Sequence, residues 1–327
     1  MDKMRIVILG KTGVGKSSLA NTILGEELFQ TGFNGVSATS ECQSETRRVD
    51  GRDVTLIDTP GLFDTDRSEV KLRAAIVKCI TECSPGPHAF LIVFKVERFT
   101  DQEQDVINKI NQYFSEEAFK YATVLFTHGD QLKEGQTIEE YFHNKQLVSD
   151  LIKKCGGRCH VVDNKYWKNN QPDDYRSNQF QVKQLMKTID HMIEANNGSC
   201  FTNEVLQAVE KLRQEEEEKI RQSSGNMTDK EIREEAKKSV NKRLLTKLAG
   251  FATGALLGAL FGVVVVVGGA AAGIPAGVVI GAGALVGAIT GYVAAKEADT
   301  PSEAVGRAAD TIFNEATAFF KDQKKQQ

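Results

Sequence analysis

The residues with the clearest chemical use form a glycine-rich loop close to the start of the chain. The loop has the pattern G-x-x-x-x-G-K-S, and with the serine that follows it consists of Gly10, Lys11, Thr12, Gly13, Val14, Gly15, Lys16, Ser17 and Ser18. Glycines allow backbone N–H groups to surround a polyphosphate closely. In such a loop Lys16 would reach the β- and γ-phosphates, and the Ser17 hydroxyl would hold Mg²⁺. We predict that these residues bind the phosphates of a nucleotide, and we call residues 10–17 the phosphate loop.

The segments on either side of the phosphate loop support this interpretation. An apolar run over residues 4–9 predicts a buried strand that leads into the loop, and residues 18–24 predict the first turns of a helix. The positive end of that helix would point at the same anion. The alternative is a chance glycine-rich turn, which the strand before the loop and the helix after it disfavour.

Two later segments could supply further ligands to the magnesium ion and the γ-phosphate. Residues 33–40 show neither helical nor strand periodicity, which predicts a mobile loop, and Thr39 is its candidate hydroxyl for Mg²⁺ in the triphosphate state. This stretch alone equally allows Thr39 to be an ordinary loop residue. Asp58 ends a predicted strand, which suits a second Mg²⁺ contact, and Gly61 would offer its backbone N–H to the γ-phosphate. Ser17, Thr39 and Asp58 are therefore the predicted metal ligands.

A loop further along the chain carries residues that could select the base. A predicted strand over residues 121–126 is followed by Thr127, His128, Gly129 and Asp130. Guanine presents adjacent N–H donors at N1 and N2, and the Asp130 carboxylate can accept from both. His128 would cover the face of the base, although a lone histidine before a glycine is also an ordinary loop residue. The common motif is N-K-x-D, so the spacing and the strand end, more than the spelling, favour guanine. Asn164 is the candidate that lines the base pocket, with Asp163 as the alternative.

The residue after Gly61 bears on the rate of hydrolysis. Many GTPases have a glutamine at this position, which orients the attacking water, but this chain has Leu62. A leucine side chain can neither donate nor accept a hydrogen bond. We therefore expect slow intrinsic hydrolysis unless another group takes over that task.

Strands that alternate with helical patterns define the expected fold. Residues 1–200 are predicted to form an α/β P-loop GTPase domain, with a mostly parallel sheet and helices on both faces, and residues 201–243 a charged helical extension. The length of 327 residues accommodates both, and the net charge of −3 gives no reason to expect nucleic acid binding. The six cysteines have no convincing zinc-ligand spacing, which favours reduced thiols, and the absence of an apolar signal segment favours the cytosol.

The C-terminal part of the chain has a very different composition. Residues 249–295 contain no charged side chain, and Ala249–Val267 and Ile274–Ala295 each approach the ~20 residues that cross a bilayer. Cationic residues on both flanks place both ends on the cytosolic side. We therefore predict a hydrophobic membrane hairpin within residues 244–297. The alternative is that this apolar block packs against the predicted GTPase domain of residues 1–200, which we call the G domain. Residues 298–327 predict an amphipathic helix, and its dilysine ending suggests the endoplasmic reticulum.

Several of these motifs together resemble the GTPases of immunity-associated proteins, the GIMAP family, which are relatives of septins and of chloroplast import-receptor GTPases. The matching segments are residues 10–18, 37–42, 58–64, 86–103, 127–130 and 162–165. The resemblance covers about residues 4–200. It implies GTP or GDP with Mg²⁺, a role in immunity, and a nucleotide-dependent dimer of G domains. It also implies that Arg98 is a candidate arginine finger in trans, so Arg98 and Thr39 are the predicted catalytic residues; the alternative for Arg98 is a surface arginine paired with an acid.

Three hypotheses for the function follow. The first is a membrane-anchored GTP-binding protein on the cytosolic face of an intracellular membrane, which dimerises in the GTP state and hydrolyses GTP slowly with help across the dimer. The second is a GTP-loaded membrane scaffold with negligible hydrolysis, similar to septins, which Leu62 favours. The third and weakest is a pore-forming hairpin regulated by the G domain. The expected partners are a second copy, related family members and membrane lipid, without nucleic acid.

Overall fold

The computed structural model describes residues 3–31, 41–49, 51–64, 68–97, 100–143, 145–168, 171, 174–223, 225–263, 265–266, 279–280 and 282–290. The elements up to the sixth strand are β1 (Lys3–Leu9), α1 (Lys16–Leu24), β2 (Gln43–Val49), β3 (Arg52–Asp58), α2 (Glu69–Cys83), β4 (Ala89–Lys95), α3 (Asp101–Tyr113), α4 (Glu116–Lys120), β5 (Ala122–Thr127), α5 (Ile138–Phe142), α6 (Gln146–Lys154) and β6 (Cys159–Val161). The later elements are α7 (Asn178–Ala195), α8 (Glu204–Ser223), α9 (Asp229–Lys247), α10 (Thr253–Phe261), β7 (Val265–Val266), β8 (Val279–Ile280) and α11 (Ala282–Thr290).

A six-stranded sheet forms the centre of the described part of the chain. Its strand order is β2-β3-β1-β4-β5-β6, and only β2 runs antiparallel to its neighbour. The central strands are almost continuously apolar because helices cover both faces; in β4 every residue except Lys95 is buried. This arrangement confirms the predicted α/β fold with a mostly parallel sheet.

The alternation of side chains along β1 divides the core into two parts. Ile6 and Ile8 point into the cluster that contains α1 and α7, whereas Val7 and Leu9 point into the cluster that contains α2, α3 and α6. Each helix layer thus covers one face of the same strand. The parallel strands then all end at one edge of the sheet, where the loops that follow them can meet.

The predicted helical extension after the G domain is confirmed as α8 and α9, which pack against each other and against α2. The guanidinium of Arg213 in α8 is buried, and it is paired with Glu210 and Glu217 on the same helix. Lys237 of α9 forms an ion pair of 2.9 Å with Glu82 of α2. The pair between Lys237 and Glu82 attaches the extension to α2, the helix that follows the Gly61 segment.

The prediction of a membrane-spanning helix over Ala249–Val267 is wrong for the part that the structure describes. Helix α10 has only nine residues and ends at Phe261, because the next residue, Gly262, has a φ of 84° in the left-handed region that stops a helix. No helix among the described residues has both the length and the apolar character needed to cross a membrane. The described parts of the second stretch are β8 and α11, and α11, also of nine residues, packs on α8. The predicted helix over 298–327 lies outside the described residues.

Helix α10 instead occupies the alternative position, packed on the G domain. Its Phe261 ring is fully buried and stacks at 4.4 Å on Phe114, which directly follows α3, and it meets Phe90 of β4 edge to face at 5.6 Å. The Ser115 backbone N–H donates to the Phe261 carbonyl at 3.1 Å, and the Asn203 amide donates to the Ala259 carbonyl at 2.9 Å. A soluble helix that is apolar on all sides must be buried in a large protein interior. For α10, the G domain and the helical extension together provide that interior.

Candidate nucleotide-binding site

The phosphate loop joins the end of β1 to the start of α1, and its glycines adopt backbone angles that other residues rarely reach. Gly13 and Gly15 have φ of 83° and 89°, in the left-handed region. A Cβ atom on Gly10, where φ is 151°, would lie 2.5 Å from the Val93 carbonyl oxygen of β4. The loop therefore folds tightly over the sheet edge, and Gly15 is the residue that caps the N-terminus of α1.

The ammonium group of Lys16 is held inside the phosphate loop. Its Nζ donates to the Gly10 carbonyl at 3.0 Å and to the Lys11 carbonyl at 2.9 Å, and the side chain is buried. These bonds fold the side chain back across the loop, so that its positive charge and the N-terminus of α1 lie on the same side. An anion bound there would be attracted by both.

Ser17 and Asp58, two of the predicted magnesium ligands, lie in direct contact. The Ser17 hydroxyl donates to Asp58 Oδ2 at 2.6 Å, and Asp58 is fully buried at the end of β3. Hydroxyl and carboxylate oxygens are hard ligands that fit Mg²⁺. No three His, Cys, Asp or Glu side chains in the described part of the chain are grouped in a way that could hold a metal ion. A magnesium ion would therefore depend on Ser17, Asp58 and the oxygens of the nucleotide itself. Thr39, the third predicted ligand, lies outside the described residues.

The segment after Asp58 turns back toward the phosphate loop. Asp64 accepts a hydrogen bond of 3.1 Å from the Thr12 backbone N–H and donates its own N–H to the Gly61 carbonyl at 3.2 Å. Leu62 and Phe63 are buried in the core. The position where glutamine would orient water is thus turned into the interior. Asp64 is a site residue that was not identified from the sequence. The signal that could have pointed to it is an acidic residue six positions after Asp58.

The base loop, residues 127–130, is attached to the phosphate loop. The Thr127 hydroxyl donates to the Val14 carbonyl at 2.7 Å, a contact that the sequence did not predict. His128 is exposed and has a left-handed φ of 60°, and Asp130 is half-buried. Burial raises the pKa of Asp130, and Asp163 beside it raises this pKa further.

Asn164 lies against the phosphate loop and α1. Its Nδ2 donates to the Gly15 carbonyl at 3.4 Å, and its Oδ1 accepts from the Thr22 hydroxyl at 3.0 Å. A Cβ atom on Gly15 would lie 3.1 Å from Asn164 Nδ2. The residue predicted to line the base pocket therefore connects that pocket to the phosphate loop.

Lys11 links the phosphate loop to the start of α3. Its Nζ lies 3.7 Å from Glu103 Oε1 and hydrogen-bonds the Gln102 side chain. Glu103 also accepts the Thr100 backbone N–H at 3.0 Å, which completes a capping box. Arg98, the candidate arginine finger that precedes this box, lies outside the described residues.

A phosphate loop, a buried aspartate beside its serine and a base loop tied to both, on one edge of an α/β sheet, define a protein with the P-loop GTPase fold. A model of the AIG1 family matches residues 4–222, and the chain belongs to this family. The match begins in β1 and ends within α8. It confirms the predicted resemblance to the GIMAP proteins.

Individual relatives agree with this assignment. The chain is 32% identical over 251 residues to immune-associated nucleotide-binding protein 9 of Arabidopsis thaliana, covering 74% of this chain and 72% of that protein. It is 33% identical over 189 residues to GTPase IMAP family member 8 of Mus musculus, covering 56% of this chain and 26% of that protein. Among solved structures, Toc33 of Arabidopsis thaliana with Mg²⁺ and GMPPNP is 20% identical with a TM-score of 0.46, covering 60% of this chain and 86% of that one.

Proposed function

We propose that the chain is a GTP-binding switch that takes GTP and GDP with Mg²⁺ and hydrolyses GTP slowly. The observation that carries this proposal is the contact of 2.6 Å between Ser17 Oγ and Asp58 Oδ2, beside the enclosed ammonium of Lys16. A hydroxyl, a carboxylate and a buried cation at the N-terminus of a helix are the groups that a magnesium-bound triphosphate requires.

Each residue of the candidate site would have its own part in binding the nucleotide. The ammonium of Lys16 would neutralise the β- and γ-phosphate oxygens, and the Gly61 N–H would bind the γ-phosphate. Ser17 and Asp58 would hold Mg²⁺, which would supply positive charge for the leaving phosphate. At the other end, the Asp130 carboxylate would accept from N1–H and N2–H of guanine, with the His128 ring over the base. Adenine offers no such pair of donors.

The burial of Leu62 supports slow hydrolysis. Its side chain is 1% exposed and cannot orient a water molecule at the γ-phosphate. We propose that dimerisation of two G domains supplies the missing group, with Arg98 as the candidate. The alternative is a GTP-loaded scaffold without significant turnover, which the same leucine favours.

The binding part of this proposal is tested by calorimetry on the purified full chain with Mg²⁺ and GDP, GTP or ATP. We expect binding of both guanine nucleotides, weak or absent binding of ATP, and loss of GTP binding in Lys16→Ala. Lys183→Ala, an exposed lysine of α7, is the matched control and should bind as the wild type. Equal affinity for ATP and GTP would contradict the proposal.

The dimerisation part needs a separate measurement. GTP turnover per molecule is followed as the protein concentration rises, in the wild type and in Arg98→Ala. A rise with concentration that Arg98→Ala abolishes supports hydrolysis in trans. A flat profile near background, in a protein that binds GTP, supports the scaffold instead.

We propose association with the cytosolic face of an intracellular membrane as a further, independent property. It is supported by the absence of charge over residues 249–295 and by the cationic flanks of this stretch. Flotation of the full chain with vesicles of phosphatidylcholine and phosphatidylserine tests it, against a full-length variant with Val267→Lys and Val278→Lys, which places charge in this stretch without removing α10 from the core. Equal flotation of both proteins would contradict a role for this stretch.

A further inference from the structure

We propose that Asp163 is a specificity-determining residue that acts without touching the base: it fixes the base loop so that Asp130 meets both donors of guanine. This inference rests on the proposed function and extends it from the recognition residue to the residue that positions it. Asp163 is therefore a positioning residue, and its role differs from the base contact that its place after β6 suggests.

The carboxylate of Asp163 joins two loops that come from different strands. Its Oδ2 accepts the Asp130 backbone N–H at 3.3 Å. Its Oδ1 accepts the backbone N–H of Lys165 at 2.9 Å and that of Tyr166. The residue is 2% exposed. Both oxygens accept backbone donors, and the carboxylate also contacts the Asp130 side chain, so it holds the two loops together.

The backbone of Asp163 is fixed in its turn by α7. Asn178, near the start of that helix, accepts the Asp163 N–H with its Oδ1 at 3.0 Å and donates from its Nδ2 to the Asp163 carbonyl at 2.6 Å. Asn178 is itself buried. Asp163 lies after the end of β6, so its backbone has no neighbouring strand to bond. The two hydrogen bonds with Asn178 take the place of such a strand, and the folded core thereby sets the position of the carboxylate.

The neighbouring contacts hold the base loop at the same place. The Gly129 N–H donates to the Val162 carbonyl at 3.0 Å, and the Trp167 ring packs so closely on Gly129 that a Cβ atom there would overlap it. Two consecutive residues of the base loop, Gly129 and Asp130, are thus bound to the segment 162–167. The two N–H donors of guanine have a fixed separation, so a carboxylate that accepts from both needs such a rigid backbone.

The charge of Asp163 has a second effect on Asp130. Burial raises the pKa of Asp163, but the Tyr166 N–H, the contact with the Asp130 side chain and the N–H groups of Lys165 and Asp130 more than offset this, so its pKa lies below the usual range. The groups that face the Asp130 carboxylate are the Asp163 carboxylate, which raises its pKa through a side-chain contact and through its charge, His128, which lowers it, and the Lys165 ammonium. Removal of the Asp163 charge should therefore lower the pKa of Asp130.

The experiment compares the affinities of GDP and IDP for the full chain with Mg²⁺, since inosine lacks the 2-amino donor. We expect the wild type to prefer GDP, and Asp163→Asn to reduce the GDP-to-IDP ratio by about tenfold while IDP affinity changes much less. The residual GDP affinity of Asp163→Asn should also persist to lower pH than in the wild type. Asp190→Asn, on α7 and paired with Arg52, is the matched control and should keep the wild-type ratio.

Asn178→Ala provides a second test if Asp163→Asn is poorly folded. It leaves the Asp163 carboxylate in place but frees its backbone, so the ratio should fall in the same direction by a smaller factor. A wild-type ratio in both variants, or an equal loss of GDP and IDP affinity, would overturn the role of Asp163. A wild type that binds no guanine nucleotide would refute the proposed function itself, and the two failures are therefore distinguishable.

Discussion

Phe261 of α10 stacks on Phe63, two residues after Gly61, with ring centroids 6.1 Å apart and ring planes inclined by 26°. The Phe63 carbonyl also accepts a hydrogen bond of 2.8 Å from Lys109 Nζ on α3. Arg73 of α2 donates to the Phe251 carbonyl, just before α10, at 3.1 Å. Helix α10 therefore shares one core with the segment after Gly61, which would contact the γ-phosphate.

The first prediction concerns the contribution of Phe261 to stability. Phe261→Ala removes a fully buried ring and leaves a cavity among aromatic side chains, so we expect a loss of about 3–5 kcal/mol in the free energy of unfolding. Urea denaturation followed by circular dichroism measures this loss. Leu147→Ala, at a position that is 40% exposed, is the control and should change stability by less than about 1 kcal/mol. A loss for Phe261→Ala as small as that of the control would mean that α10 is not part of the core.

The second prediction is a pH dependence at Glu103. Burial raises the pKa of Glu103, but the Thr100 hydroxyl and N–H and the Lys11 charge outweigh it, so the pKa lies below its ordinary value of 4.5. A carboxylate with a lowered folded-state pKa contributes stability above its unfolded pKa, and this contribution is lost as the pH falls through the folded-state value. Glu103→Gln should therefore cost about 1 kcal/mol at neutral pH and much less at about pH 3.

Denaturation at both pH values checks the sign of this effect. Glu194→Gln, an exposed position of α7, should leave the stability unchanged at either pH. A cost for Glu103→Gln that is the same at both pH values would show that the charge of Glu103 has no part in holding the start of α3.

The third prediction couples Gly129 to Trp167. A methyl group on Gly129 would overlap the Trp167 ring, so Gly129→Ala should cost about 1–3 kcal/mol. Trp167→Leu should also destabilise, since the indole is buried, but it makes room for the methyl group. The loss in the free energy of unfolding of the double variant should therefore be smaller than the sum of the two single losses, by about 1 kcal/mol. Strict additivity in urea denaturation of the four proteins would contradict the contact.

The fourth prediction concerns thiol reactivity. All six cysteines lie within the described residues and none forms a disulfide. Burial raises the pKa of the Cys155 and Cys159 thiols to about 12, and Cys42, Cys79 and Cys83 are fully buried. A thiolate-specific reagent such as DTNB should therefore modify Cys200 first at about pH 8 and the others only after unfolding. Cys200→Ser should abolish the fast phase; its persistence would place a second thiol at the surface.

The elements that carry the phosphate loop were predictable because each local pattern agrees with the sheet. The apolar run of β1, the glycines after it and the start of α1 each indicate the same turn, and Asp58 follows directly from the end of β3. The contact between Ser17 and Asp58 then follows from two parallel strands that end at one edge. Such features depend on neighbours in sequence and on one general rule of topology.

The contacts that the sequence did not predict connect residues far apart in the chain. Asn164 meets Gly15 across 149 positions, and Thr127 meets Val14 across 113. The apolar block misled for a different reason: hydrophobicity on all sides of a helix indicates a nonpolar environment but does not say whether this is lipid or a protein core. The end of α10 depends on the left-handed φ of Gly262, which composition alone could not locate.

The position of α10 has a consequence for any encounter with a bilayer. Its large apolar side chains are all buried in the protein: Leu256, Leu257, Leu260 and Phe261. Burial of each such side chain is worth about 1.5–3 kcal/mol, so the interior already holds α10 with roughly 6–12 kcal/mol. A lipid phase would have to compete with that interior for the same residues, and the departure of α10 would leave the rings of Phe63, Phe90 and Phe114 in water. Transfer of α10 to lipid would therefore be coupled to local unfolding of the domain that it leaves.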